Sequence, residues 1–109
     1  MSRFVAVARF ADLPPGASLA VRINDHSIAL FNVGGSIYAI DNICPHAGGP
    51  LARGALGGPD AAIVTCPLHG WRFDVRTGQS PHLRGEQLRT FPARVLNGAI
   101  EVAVADRVD

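Results

Sequence analysis

Two cysteines and two of the four histidines fall into a pair of short loops. The first reads Cys44-Pro45-His46-Ala47-Gly48-Gly49-Pro50 and the second Cys66-Pro67-Leu68-His69-Gly70-Trp71. Each supplies one thiolate and one imidazole, the donors that bind zinc, iron and iron–sulfur clusters. Each is also rich in Pro and Gly: proline stiffens a loop, and glycine lets backbone N–H groups approach a buried object. A set of two Cys and two His suits tetrahedral zinc as well as a cluster. Zinc fingers usually pair Cys with Cys and His with His, whereas each loop here mixes the two types. A Cys44–Cys66 disulfide, or a Cys–His nucleophile, would leave the second Cys–His pair without a role.

These loops need rigid elements to hold them, and the chain offers strands. Ala17–Ile23 alternates, with Leu19, Val21 and Ile23 on one face and Ser18, Ala20 and Arg22 on the other; Ala99–Val104 does the same. Phe4–Arg9, His26–Val33, Ser36–Asn42 and Ala61–Thr65 are short, rich in β-branched residues and bounded by turn residues. The first loop follows Ser36–Asn42 and the second follows Ala61–Thr65. Turns are signalled at Pro14-Pro15-Gly16, Asn24-Asp25, Gly34-Gly35, Thr77-Gly78 and Asn97-Gly98, the last a strong two-residue hairpin signal. Helical spacing is weak, with one short turn expected somewhere in Pro50–Leu56. The expected fold is all-β: a compact antiparallel sandwich or small barrel carrying two metal-binding loops, at about 43–50 and 66–71.

The bulk properties agree. At 109 residues, 48% hydrophobic and 17% charged, the chain is expected to form a single domain, 1–109, around one core. A formal net charge of +1 argues against non-specific nucleic-acid binding, which needs a clustered basic surface. All ten basic residues are Arg, matching either codon bias or Arg forks that dock carboxylates on a partner. The run at Met1–Arg9 is too short for an export signal, and no stretch approaches a membrane span. The expected address is the cytoplasm, where two cysteines serve more often as ligands or catalysts than as a disulfide.

Cys-x-His together with Cys-x-x-His resembles the binding motif of Rieske-type 2Fe–2S ferredoxins. The resemblance extends to Asp41-Asn42-Ile43 before the first loop, Gly48-Gly49-Pro50-Leu51 within and after it, and Trp71-Arg72-Phe73-Asp74 with Thr77-Gly78 after the second. It is sharp from about Asp41 to Gly78. It implies one 2Fe–2S cluster, with Cys44 and Cys66 on an inner iron and His46 and His69 on an outer one. Two neutral imidazoles in place of two thiolates make an added electron less costly, so Rieske centres lie at roughly −150 to +300 mV against about −400 mV for plant-type ferredoxins. High-potential respiratory members resemble one another in an extra cysteine pair and in hydroxyl side chains after the second loop. This chain has neither, since Trp71 and Phe73 stand where those hydroxyls are expected. The implied potential is near the low end, about −150 mV.

Nineteen residues separate His46 from Cys66, slightly more than the resemblance suggests, and Gly57-Gly58-Pro59-Asp60 reads as the turn that absorbs the excess. His26 reads as a surface residue, His82 as a candidate for the cluster rim, and Trp71 as either a brace or a partner contact. Pro45 and Leu68, between the ligands, could form an apolar collar. No Gly-x-Gly-x-x-Gly or P-loop is present, and the chain is too short for an additional non-haem iron domain. The resemblance therefore implies an electron-transfer protein that is not itself an enzyme. It would carry single electrons from an NAD(P)H-dependent flavoprotein reductase to a terminal oxygenase, with no nucleic acid or membrane partner. The alternative is a resident small subunit of a larger redox enzyme, similar to that of assimilatory nitrite reductase.

Overall fold

The computed structural model describes residues 2–44, 48–68, 70–81 and 87–105. Those residues form ten strands: β1 (Ser2–Arg9), β2 (Ser18–Ile23), β3 (His26–Val33), β4 (Ser36–Asp41), β5 (Ala55–Gly57), β6 (Ile63–Thr65), β7 (Arg72–Asp74), β8 (Thr90–Phe91), β9 (Ala93–Leu96) and β10 (Ala99–Ala105). Two 3-10 turns, Phe10–Asp12 and Leu51–Arg53, complete the regular structure. All pairings are antiparallel, in three sheets ordered β1-β10-β9, β2-β3-β4-β8 and β5-β6-β7. The all-β expectation holds. Among the described residues no helix is long and apolar enough to cross a membrane.

The four-stranded sheet is central because β3 is apolar on both faces. Ile28 and Leu30 point to one side, where with Ala39 they pack against Ile100, Val102 and Val104 of β10. Ala29 and Phe31 point to the other, where with Ile40 they pack against Val64, Phe73, Leu51 and both cysteines. The period-two alternation of a strand thus feeds two core groups, where the composition alone suggested one. Cys44 and Cys66, the first residues of the two loops, both belong to the second group.

Hairpins form where the turn residues placed them. Asn97-Gly98 joins Leu96 to Ala99, with φ of 52° and 79° at its two residues, the left-handed pair that a tight hairpin demands. Asn24-Asp25 and Gly34-Gly35 are the two-residue connections of β2–β3 and β3–β4, with positive φ at Asn24 and at both glycines. Leu19 is 37% exposed although it shares a face with Val21 and Ile23; β2 lies at the edge of its sheet. The short turn expected somewhere in Pro50–Leu56 is the 3-10 turn Leu51–Arg53, and Ala55-Leu56 already belongs to β5. Gly54 separates them, since a Cβ there would collide with the Thr65 carbonyl oxygen.

Candidate metal centre

The loops are the tips of two antiparallel hairpins. In the first, Ile43 bridges Pro50 and the Leu51 N–H donates to the Asn42 carbonyl at 2.6 Å. In the second, Thr65 of β6 pairs with Arg72 of β7. Beyond these rungs the two backbones follow one hydrogen-bond plan. The Cys44 N–H donates to the Gly49 carbonyl (3.0 Å), and the Gly48 N–H returns to the Cys44 carbonyl (2.9 Å). The Cys66 N–H donates to the Trp71 carbonyl (2.7 Å), and the Gly70 N–H returns to the Cys66 carbonyl (3.0 Å). Gly48 and Gly70 occupy equivalent places, with φ of 69° and 72°, a conformation that side chains resist.

Matching the frames aligns 44–49 with 66–71. In sequence, His46 is then the third residue of its frame and His69 the fourth. Both lie outside the described residues, as do Pro45 and His82. Of the four expected ligands, the structure therefore places Cys44 and Cys66. Each is a free thiol and each is only 1% exposed. The disulfide reading finds no support.

The loops abut. A Cβ added to Gly49 would lie 3.0 Å from the Cys66 Sγ and 2.9 Å from the Leu68 Cγ, so the first loop's bare backbone rests on the second loop's thiol. The result is a pair of buried sulfurs within one core group, approached by glycine backbone that leaves room at the sulfur. With the two imidazoles that the sequence adds, this donor set fits a small cluster with thiolate ligands. It does not by itself separate that group from zinc.

Comparison with known proteins separates them. A model of the Rieske [2Fe-2S] domain matches residues 3–92. The chain belongs to the Rieske [2Fe-2S] family. The group this family binds is one 2Fe–2S cluster. The chain is 41% identical over 91 residues, 83% of each chain, to the ferredoxin subunit of 3-phenylpropionate/cinnamic acid dioxygenase from Escherichia coli (strain K12). Its fold matches the ferredoxin of carbazole 1,9a-dioxygenase from Nocardioides aromaticivorans IC177, with a TM-score of 0.82, 34% identity and coverage of 91% of this chain and 95% of that one. It also matches a structure described as the small subunit of an NADH-dependent nitrite reductase from Mycobacterium tuberculosis, with a TM-score of 0.88, 26% identity and coverage of 98% and 99%.

In this Rieske domain one residue outside the expected ligand set frames the first loop. Asn42 is 5% exposed and bonds in both directions. Its N–H and Nδ2 donate to the Ser27 carbonyl (2.9 Å) and the Ser27 Oγ (3.1 Å) on β3. Its Oδ1 accepts from the Ala52 N–H at 2.8 Å, and its carbonyl accepts from Leu51. One buried amide thus ties both limbs of the loop to the central sheet. Sequence reasoning recorded Asn42 only as part of a motif. A polar residue closing an apolar strand two positions before a ligand was the available signal.

Flanking contacts brace the same end of the Rieske domain. Asp41 accepts from the Arg89 backbone N–H, Nε and Nη2 at 3.1, 3.2 and 3.2 Å. His26, at the start of β3, is a half-buried surface residue, with Arg89 Nη2 3.4 Å from its Nδ1 and the Phe91 ring edge-on at 5.6 Å between centroids. After the second loop, Asp74 receives Arg76 through its Nε and Nη2 at 3.0 and 2.9 Å and through its backbone N–H at 2.8 Å. The side-chain bonds from Arg76 hold the Asp74 carboxyl below the usual carboxylate range. Trp71 packs on the core group around the cysteines, which supports its reading as a brace. Phe73 is fully buried and points inward from β7, so it offers no hydrogen bond.

Proposed function

We propose that this Rieske protein carries single electrons between protein partners, from a flavin-dependent reductase to a terminal oxygenase, with its cluster held by Cys44, His46, Cys66 and His69. The observation that carries the reading is the pair of abutting loops, built on one backbone plan around two buried free thiols. The dioxygenase ferredoxins at 41% and 34% identity support the choice of partner class. When bound, a 2Fe–2S cluster supplies a one-electron couple. The chain's own residues do the rest. Cys44 and Cys66 lie away from water, their N–H and C=O groups committed to the loop frames, so each thiol is held in one place. Asn42 keeps the limbs of the first loop together, and Trp71 and Phe73 wall the second from beneath.

The resident-subunit reading keeps the same ligands and couple and is favoured by the TM-score of 0.88 to the nitrite reductase subunit. Co-purification of the native protein with a large flavin- or haem-containing enzyme would select it over a free carrier.

The decisive experiment is anaerobic visible and EPR spectroscopy of the purified protein before and after dithionite, followed by a redox titration. A brown protein that bleaches and becomes EPR-active on taking up one electron, with a midpoint near about −150 mV, is the expected result. A colourless zinc protein after attempted reconstitution would overturn it. His69→Cys should move the midpoint toward the roughly −400 mV of all-cysteine clusters. An unchanged midpoint removes His69 from the ligand set.

A further inference from the structure

The chain has four asparagines, and the fold gives them unlike surroundings. Asn32 and Asn42 are buried, and each side-chain amide both donates and accepts a hydrogen bond. Each also precedes a β-branched residue, Val33 or Ile43. Asn24 and Asn97 are exposed at hairpin turns, with φ of 54° and 52°, and neither side chain has a hydrogen-bond partner among the described residues. The residue that follows separates these two. Asn24 precedes Asp25, whereas Asn97 precedes Gly98, which has no side chain to shield its backbone nitrogen. The Gly98 N–H makes no backbone hydrogen bond among the described residues, while its carbonyl accepts from the Phe10 N–H at 2.9 Å. An unbonded amide thus lies beside an unhindered nitrogen.

We propose that Asn97 is a site of spontaneous deamidation, gated by the opening of β9. The Gly98 nitrogen gives up its proton and attacks the Asn97 Cγ, ammonia leaves, and a five-membered succinimide closes. Water then opens the ring. Attack at Cγ breaks its bond to nitrogen and gives aspartate; attack at the main-chain carbonyl breaks the other bond and gives isoaspartate. One water enters, one ammonia leaves and no electron is transferred. Ring closure requires rotation about the Asn97 Cα–C bond, away from the left-handed turn that the closed hairpin imposes, so the reaction proceeds from the open hairpin. Opening costs little here. β9 has four residues, bonds to β10 alone among the described strands, and leaves Arg94, Val95 and Leu96 exposed, whereas six rungs hold the β2–β3 hairpin that carries Asn24. The latch on β9 is Arg94, which donates to Glu101 at 2.7 Å and lies 3.9 Å over the Phe4 ring of β1.

The consequence follows from the turn. Isoaspartate routes the main chain through Cβ and Cγ and so lengthens it by one atom, in a two-residue turn whose length fixes the register of Leu96 on Ala99, Val95 on Ile100 and Arg94 on Glu101. The Gly98 carbonyl shifts with it, away from the Phe10 N–H. Ordinary aspartate adds the same charge and leaves the turn its length, so isoaspartate alone disturbs β9. This modification is independent of the electron-carrier reading.

The test is incubation of the purified protein in mildly alkaline buffer made with heavy-oxygen water, followed by peptide mapping by mass spectrometry. The peptide containing Asn97 should gain the mass of an amide-to-acid conversion with one heavy oxygen, ahead of those containing Asn24, Asn32 and Asn42. Arg94→Ala, with its fold checked by circular dichroism, should accelerate the conversion about fivefold by removing both contacts of the latch. Glu101→Gln removes the ion pair but keeps the shape of the side chain, and should accelerate it about twofold. The isoaspartate form, separated by chromatography, should melt several degrees below the unmodified protein, and Asn97→Asp should melt close to it. An Asn97 peptide that gains no mass, or gains it no faster than the Asn24 peptide, would overturn the site. Rates unmoved by both Arg94→Ala and Glu101→Gln would overturn the gate, and an isoaspartate form that melts with Asn97→Asp would overturn the change of register.

Discussion

Asn42→Ala removes two side-chain hydrogen bonds at the first loop, leaving the Ala52 N–H without its acceptor and the Ser27 Oγ without its donor. A buried polar group so orphaned costs about 1–3 kcal/mol; Ser27 and Ala52 are only half-buried, so each should cost about 1–2 kcal/mol and the pair about 2–4 kcal/mol. For a chain of this length that corresponds to a fall in Tm of roughly 8–20 °C. Such a loss alone would not distinguish a loop brace from any buried amide, and the molecule contains the needed control. Asn32 is fully buried, donates through Nδ2 to the Leu13 carbonyl at 2.7 Å and accepts from the Gly35 N–H at 2.8 Å, and neither of these bonds is made to a cysteine loop. Asn32→Ala should therefore lower Tm on the same scale. Only Asn42→Ala should also loosen the cluster. If one of its lost bonds, about 1.4 kcal/mol, bears on loop geometry, cluster loss to a chelator in the folded protein should accelerate about tenfold. The assay is decay of the visible absorbance under chelator, at a temperature where circular dichroism shows both variants folded. Equal decay rates for the two variants would refute the assignment of Asn42 to the loop.

Other positions yield sharper local outcomes. Gly49→Ala inserts a methyl against the Cys66 Sγ and Leu68; Leu68 is exposed and can yield, so apoprotein stability should change little while cluster content drops several-fold by iron and sulfide assay. Full occupancy in that variant would remove Gly49 from the cradle. Gly78→Ala should cost about 3 kcal/mol or more by urea melting, because φ is +79° and the new Cβ would collide with the Leu88 carbonyl. A cost below about 1 kcal/mol would contradict the contact. The depressed Asp74 pKa means that its contribution to stability is complete above the ordinary carboxylate value of 3.8 and is lost as pH falls through the lower folded value. Asp74→Asn should accordingly flatten the acid limb of the Tm–pH profile below about pH 4, and an unaltered slope would show that Arg76 does not stabilise the charged form.

Much of this chemistry was legible without coordinates. Mixed Cys–His loops between apolar runs announced a metal centre because thiolate and imidazole have few other reasons to recur together in stiff, Gly-rich turns. The strands β1, β2, β3, β4 and β10 were readable because six to eight residues suffice to display a period of two. By contrast, β5, β7, β8 and β9 span two to four residues, too few to show any period, and their pairing partners alone make them strands. The sequence by itself determined the class of fold and the pairing of one thiol with one imidazole in each of two loops. Those follow from residue types and local spacing. Only the tertiary structure decided that β3 divides two cores, that the loops share one hydrogen-bond plan, that Gly49 lies on Cys66, and that Asn42 fastens the first loop to Ser27. These relations join residues that local sequence pattern leaves unconnected; packing and backbone hydrogen bonding bring them together.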